Sequence, residues 1–157
     1  MCGIVGFWQK HHSNGIDDMH HIIQNMAKAL FHRGPDDKGS WVDEEMGLAF
    51  GHTRLSILDI SKQGHQPMES HNSKYVIVYN GEIYNFLELR KVLKKRGYKF
   101  KGSSDTEVIL AAINEWGLVK AVQSFDGMFS FALWDKAEKS LHLCRDRIGE
   151  KPLYYGW

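Results

Sequence analysis

The order of hydrophobic patterns along the chain predicts an α+β fold. Strand-like apolar runs cluster toward both ends, with helical periodicities between them. That order suggests two sheets, or one large sheet, covered by helices. The 157 residues, 43% hydrophobic and 25% charged, suit one globular domain with a real core. No internal repeat or low-complexity linker divides it, so residues 1–157 are read as a single domain.

Gly3 to Trp8 reads as a short buried strand. From Asp17 to Leu30, apolar residues at Met19, Ile22, Ile23, Met26, Ala27 and Leu30 fall on one face of a helix. His32-Arg33-Gly34-Pro35-Asp36-Asp37 breaks that helix as a loop. Gly39 to Val42 and Met46 to Thr53 read as paired strands, Ser61 to Asn72 as loop, and Tyr75 to Tyr79 as a compact strand. A helix is expected from Asn85, where Asn85 and Glu88 have capping-box spacing, and Gly97 is its stop. Ser104-Asp105-Thr106-Glu107 is a second capping-box signature, before the helical run Val108 to Trp116. Strands are expected at Met128 to Asp135, Leu141 to Arg145 and Leu153 to Tyr155.

Composition excludes several classes of function. A formal net charge of +1 gives no electrostatic footprint for nucleic acid or for an anionic membrane. No run of about 18 apolar residues is present to span a bilayer, and the N-terminus lacks the basic-then-apolar layout of a signal peptide. Two cysteines far apart, Cys2 and Cys144, fit a reducing cytosol, so a cytoplasmic location is expected. Nine histidines form no H-E-x-x-H element and join no C-x-x-C pair, and Cys144 sits in an apolar segment, so no metal is expected.

Cys2 carries the most chemical information. Removal of Met1 would leave a residue bearing both a thiol and a free α-amine, two groups that titrate near neutral pH. A nucleophile and its own general base would then come from one residue; the structural alternative is a small buried hydrophobe. Three further segments place polar residues where strands are expected to end: Gly51 to Ile57, Asn80 to Asn85, and Ser104 to Glu107. For a free α-amino acid, Arg54 matches the carboxylate as a two-pronged donor, and Glu82 and Asp105 match the ammonium. Their plain alternatives are a surface ion pair for Arg54 and solvated or helix-dipole-complementing acids for the other two. The Asn80 side-chain amide and the Gly81 N–H can together point at one oxygen, as an oxyanion requires. Asn-Gly is also a common hairpin turn, but Ile83-Tyr84-Asn85 leads into a helix, not a returning strand.

In this order and spacing the motifs resemble the class II, N-terminal-nucleophile glutamine amidotransferases, most closely the glutaminase domain of glutamine-hydrolysing asparagine synthetases. The matching segments are Cys2 to Gly6, Arg33 to Asp36, Gly51 to Ile57, Tyr79 to Asn85, Ser104 to Glu107, Asp126 to Phe129 and Asp146 to Tyr155. Leu55-Ser56-Ile57 separates the chain from sugar-phosphate amidotransferases, which tend to carry Trp-Ala-Thr there. The resemblance implies a four-layer αββα sandwich with two antiparallel sheets. It implies that the Cys2 thiolate hydrolyses L-glutamine to glutamate and ammonia, with Asn80 and Gly81 holding the oxyanion. Arg54 would bind the α-carboxylate with backbone groups of Leu55 and Ile57, while Glu82 and Asp105 bind the ammonium. Arg33 to Asp36 would shape a loop beside the site.

No Ser-Gly-Gly-x-Asp-Ser loop occurs, so ATP and Mg are expected only for a synthetase domain absent from these residues. The amidotransferase fold itself is expected to be cut short at its C-terminal end, and an ammonia-accepting synthetase domain or subunit is the expected partner, with room for a homodimer. Two alternatives stay open: an amidotransferase half serving another acceptor, and a glutamine-binding module without turnover.

Overall fold

A computed structural model describes residues 1–9, 16–56 and 61–157. The elements in chain order are β1 (Gly3–Trp8), α1 (Ile16–Ala29), β2 (Asp37–Asp43), β3 (Leu48–Arg54), β4 (Met68–Glu69), β5 (Tyr75–Ile83), α2 (Phe86–Lys95), α3 (Asp105–Trp116), α4 (Leu118–Gln123), β6 (Gly127–Asp135) and β7 (Ser140–Arg145). They form two antiparallel sheets, one ordered β1-β3-β2 and the other β4-β5-β6-β7.

Alternation along the strands divides the core into layers. In β3, Leu48 and Phe50 pack with Val76, Val78, Ala132 and Trp134 of the second sheet. Ala49, of opposite parity, packs with Met19 and Ile23 of α1. In β5, Tyr75, Ile77 and Tyr79 face the other way, into a cluster with Leu89 and Leu93 of α2 and Val108, Ile109, Ala112 and Ile113 of α3. The result is helix, sheet, sheet, helices: the four-layer αββα sandwich. α1 covers its sheet because Met19, Ile23 and Ala27, spaced four apart, are all buried.

The elements differ from expectation at several places. α3 starts directly after Ser104, whose hydroxyl accepts from the Glu107 N–H at 3.4 Å. Glu107 does not return the bond; its carboxylate accepts from the N–H groups of Lys101 and Gly102 and orders the approach to the helix. Asn85 does not cap α2 with its side chain. Its amide instead donates to Ser124 O at 2.9 Å and accepts from Asp126 N at 3.1 Å, tying α2 to the entry of β6. The expected loop 61–72 contains a 3-10 turn at Lys62–Gly64 and the two-residue strand β4. The expected strand at Leu153 to Tyr155 is absent: Tyr154 and Tyr155 lie on the surface, 91% and 78% exposed, and no ladder reaches them. β5 is also longer than expected, so Asn80, Gly81 and Glu82 lie within the strand, not in a loop after it.

Among the described residues, no helix is long and apolar enough to cross a membrane.

Candidate active site

The site forms where β5 outruns its neighbour. β4 pairs with β5 only at Ile77 and Val76, so beyond that point one edge of β5 has no strand beside it. Side chains take up its backbone groups. Gln66 accepts from Tyr79 N at 2.7 Å and Asp105 accepts from Ile83 N at 3.0 Å. By the alternation of an antiparallel ladder, the N–H of Gly81 points the same way as those two, onto the cleft that Gly81 lines. The Asn80 side chain shares the parity of Val76 and Val78 and turns toward the first sheet; it is buried, yet its amide has no side-chain partner among the described residues.

Gly81 has a steric reason to be glycine. A Cβ there would meet Met128 O at 2.3 Å and the Phe129 Cα at 2.6 Å, so any side chain would push β5 away from β6. Gly64 plays a comparable part across the cleft, since a Cβ would fall 2.1 Å from an Arg54 guanidinium nitrogen. The 3-10 turn can therefore lie directly against Arg54. That arginine ends β3, is buried, and donates from Nη1 to Ser61 O at 2.8 Å.

Cys2 comes to the cleft by way of β1, which pairs with β3 in the register Gly3 with Thr53. Its thiol faces the Leu55 carbonyl at 3.8 Å, and its own carbonyl accepts from Arg33 Nε at 3.2 Å. Asp36 accepts from Ser56 N at 2.8 Å, so the loop 33–36 holds both the start of β1 and the segment after β3. Cys2, Arg54, Leu55, Asn80, Gly81, Glu82 and Asp105 all line one cleft of about 90 Å³. Ile57, expected to assist in substrate binding, lies outside the described residues.

The electrostatics of the cleft are set largely by burial. Asp105 is 5% exposed, and burial raises its carboxyl above the ordinary carboxylate range. Bonds from the Tyr79 hydroxyl at 2.6 Å and from Ile83 N, both to Oδ2, work against that rise. Tyr79 is pushed well above the usual phenol range by burial and by the Asp105 charge, so it stays a donor to Asp105. Behind the cleft, His52 is buried between the sheets, and desolvation lowers its imidazole to about 4. Its Nε2 lies 3.2 Å from Tyr79 O, which can only accept, so Nε2 carries the hydrogen and Nδ1 is bare.

Sequence reasoning passed over Tyr79, Gln66, Thr106 and Lys151 as site residues. Tyr79 reads as one more apolar strand residue, and only the fold sets its hydroxyl against Asp105. Gln66 and Thr106 meet at 3.4 Å behind the β5 edge, across 40 residues of sequence. Lys151 belongs to a matching segment, but nothing local says that it reaches the cleft.

Cavity size does not single out this cleft. A larger groove of about 1060 Å³ runs between α1 and β2, lined by groups such as His21, Lys28, Phe31 and Asp36. It contains no cysteine and no pair of acids facing an arginine. Among the described residues, no group of three or more His, Cys, Asp or Glu side chains is placed to hold a metal.

The whole chain, residues 1–157, matches the family model described as a glutamine amidotransferase domain. It is 43% identical over 155 residues to asparagine synthetase [glutamine-hydrolyzing] 1 of Bacillus subtilis (strain 168), covering 99% of this chain and 24% of that protein. A putative asparagine synthetase [glutamine-hydrolyzing] 2 of Methanocaldococcus jannaschii is 39% identical over 173 residues, covering 100% of this chain and 32% of the relative. Amidase chry2 of Gibberella zeae is 36% identical, covering 99% and 24%. The chain thus spans about a quarter to a third of the length of these relatives. Among solved structures, the glutamine phosphoribosylpyrophosphate amidotransferase of B. subtilis superposes with a TM-score of 0.54 at 24% identity, over 64% of this chain and 23% of that one, a likeness of fold.

Proposed function

Because this chain belongs to the glutamine amidotransferase domain family, we propose that it hydrolyses L-glutamine to L-glutamate and ammonia with Cys2 as nucleophile, as the glutaminase half of a glutamine-hydrolysing asparagine synthetase. The observation that carries this is convergence. A cysteine that Met1 removal would make N-terminal shares one cleft with a buried arginine, two carboxylates and the Asn80–Gly81 donor pair.

Each group then has a task fitted to its chemistry. With Met1 removed, the Cys2 α-amine takes the thiol proton while Sγ attacks the side-chain amide carbon of glutamine. The carbonyl oxygen becomes an oxyanion held by the Asn80 amide and the Gly81 N–H. Collapse breaks the C–N bond, and the amine returns the proton to the departing nitrogen, which leaves as ammonia. Water adds to the thioester carbon, and a second collapse releases glutamate and restores the thiol. Arg54 holds the substrate α-carboxylate in two-pronged fashion, beside backbone groups of Leu55 and Ile57. Glu82 and Asp105 hold the α-ammonium, with the Tyr79 hydroxyl and the Ile83 N–H fixing one Asp105 oxygen. Aspartate, activated by an ATP-dependent domain such as the remaining length of the relatives could house, is the proposed acceptor of the ammonia.

The test is glutamate release from glutamine by protein that begins at Cys2, verified by intact mass. Wild type should turn over and Cys2→Ala should not; equal rates in the two would refute the nucleophile assignment. Protein retaining Met1 should be inactive, and full activity there would exclude the α-amine as base.

A further inference from the structure

Lys151 enters the cleft from the segment after β7 and is 5% exposed. Its backbone is pinned on both sides: its N–H donates to Asp146 Oδ2 at 2.9 Å and its carbonyl accepts from Arg145 Nε at 2.7 Å. The side chain then runs inward, and Nζ donates to Met1 Sδ at 3.0 Å. A thioether sulfur is a weak acceptor, and no carboxylate forms a salt bridge with Lys151 among the described residues. A buried ammonium is ordinarily matched to an anion; this one is matched to the residue whose removal would free the Cys2 amine. Met1 Sδ is only five bonds from Cys2 N, so Lys151 Nζ lies within roughly 10 Å of that nitrogen on covalent geometry alone.

We propose that Lys151 is a positioning residue for catalysis, whose fixed positive charge at the end of β1 keeps the freed α-amine of Cys2 unprotonated and able to act as base. This rests on the glutaminase function proposed above. A like charge nearby disfavours the protonated amine, and the same charge favours the thiolate that the amine creates. The other charged or titratable groups facing this space are Arg54 from β3, Glu82 and Tyr79 from β5, Asp105 from α3, the Cys2 thiol, and Arg33, bound to the Cys2 carbonyl. Glu82 and Asp105 pull the amine toward protonation, and Lys151 opposes them from the β7 side.

The experiment compares wild type, Lys151→Met and Lys151→Arg, each released from a cleavable fusion so that Cys2 is the first residue. Two quantities are followed against pH: kcat/KM for glutamine, and the α-amine of ¹⁵N-cysteine-labelled protein by NMR. In Lys151→Met, the acid limb of kcat/KM and the amine midpoint should both move up by about half to one pH unit, a cost of about three- to ten-fold on the acid side. Lys151→Arg should restore both. Identical amine midpoints in wild type and Lys151→Met would overturn the proposal, as would a loss of rate independent of pH. The midpoint is read without turnover, so the proposal can fail while Cys2→Ala still shows Cys2 to be the nucleophile, and the reverse.

Discussion

At the level of single residues, the cleft depends on groups whose roles differ in how they should fail. Asn80 is buried, and its amide has no side-chain partner among the described residues. In its proposed role as an oxyanion donor it would act on the transition state, so replacing it with alanine should lower kcat by about 10²–10³-fold with a smaller change in KM. Arg54→Lys keeps the charge but loses the planar fork. It should raise KM for glutamine about ten-fold or more, since a hydrogen bond to a charged group contributes about 1.5–3 kcal/mol. Steady-state kinetics on the two variants separates these outcomes. Asp105 should respond to acid at a higher pH than an exposed carboxylate does. Burial raises its carboxyl, so the charge proposed to bind the substrate ammonium should be lost earlier on acidification, and KM should climb as the pH falls toward the carboxylate range. Tyr79→Phe, which removes a donor to Asp105, should strengthen that trend in KM measured against pH.

At the level of elements, the open edge of β5 is the organising feature. Two-residue β4 stops short, and Gln66 and Asp105 replace a strand at Tyr79 and Ile83. The strand therefore stays satisfied while the Gly81 N–H faces the cleft. α3 delivers Asp105 because Ser104 caps it, which places Asp105 in the first turn. Ser104→Ala should lower unfolding free energy by about 1 kcal/mol in urea titrations and raise KM by loosening Asp105. Asp146 anchors the other wall. It is 5% exposed, and burial works against its charge. Bonds from the N–H groups of Lys151, Glu150 and Phe129 outweigh that and hold its carboxyl below the ordinary value. Its contribution to stability is present above the unfolded carboxylate range and fades as the pH falls through the lowered value.

At the level of the whole molecule, His52 joins the two sheets. Its Nε2–H bonds to Tyr79 O across the interface, and burial holds its imidazole near 4 against an ordinary 6.5. The unfolded chain therefore binds a proton that the folded chain refuses between those values. Stability should be full above about pH 6.5 and decline as the pH falls toward 4, by roughly 3 kcal/mol from this group alone. Denaturant midpoints measured from pH 7 to pH 4 should show the decline, and His52→Gln should flatten it. A midpoint equally steep in both proteins would remove His52 as the cause.

What the sequence determined by itself was local or carried by pattern. The face of α1, the capped helical run at 104–116, the strand runs 3–8 and 128–135, and the α+β class are legible because caps and burial leave their marks on neighbouring residues. Cys2, Arg54, Asn80, Gly81, Glu82 and Asp105 could be named as candidates from their chemistry and motifs, and the fold brings all six to one cleft. Tertiary structure decided the rest. That β5 continues through Asn80–Gly81 depends on pairing with β6 more than 40 residues away, where glycine survives because the neighbouring backbone leaves no space for a side chain. That Leu153 to Tyr155 stays outside both sheets depends on whether a ladder is there to receive it, which no local pattern encodes. The contacts of Tyr79 with Asp105, Gln66 with Thr106 and Lys151 with Met1 join residues 26, 40 and 150 positions apart. Such contacts exist only once two sheets and their helices are stacked, because hydrogen bonds and charges act over a few ångströms of space, whatever the separation along the chain.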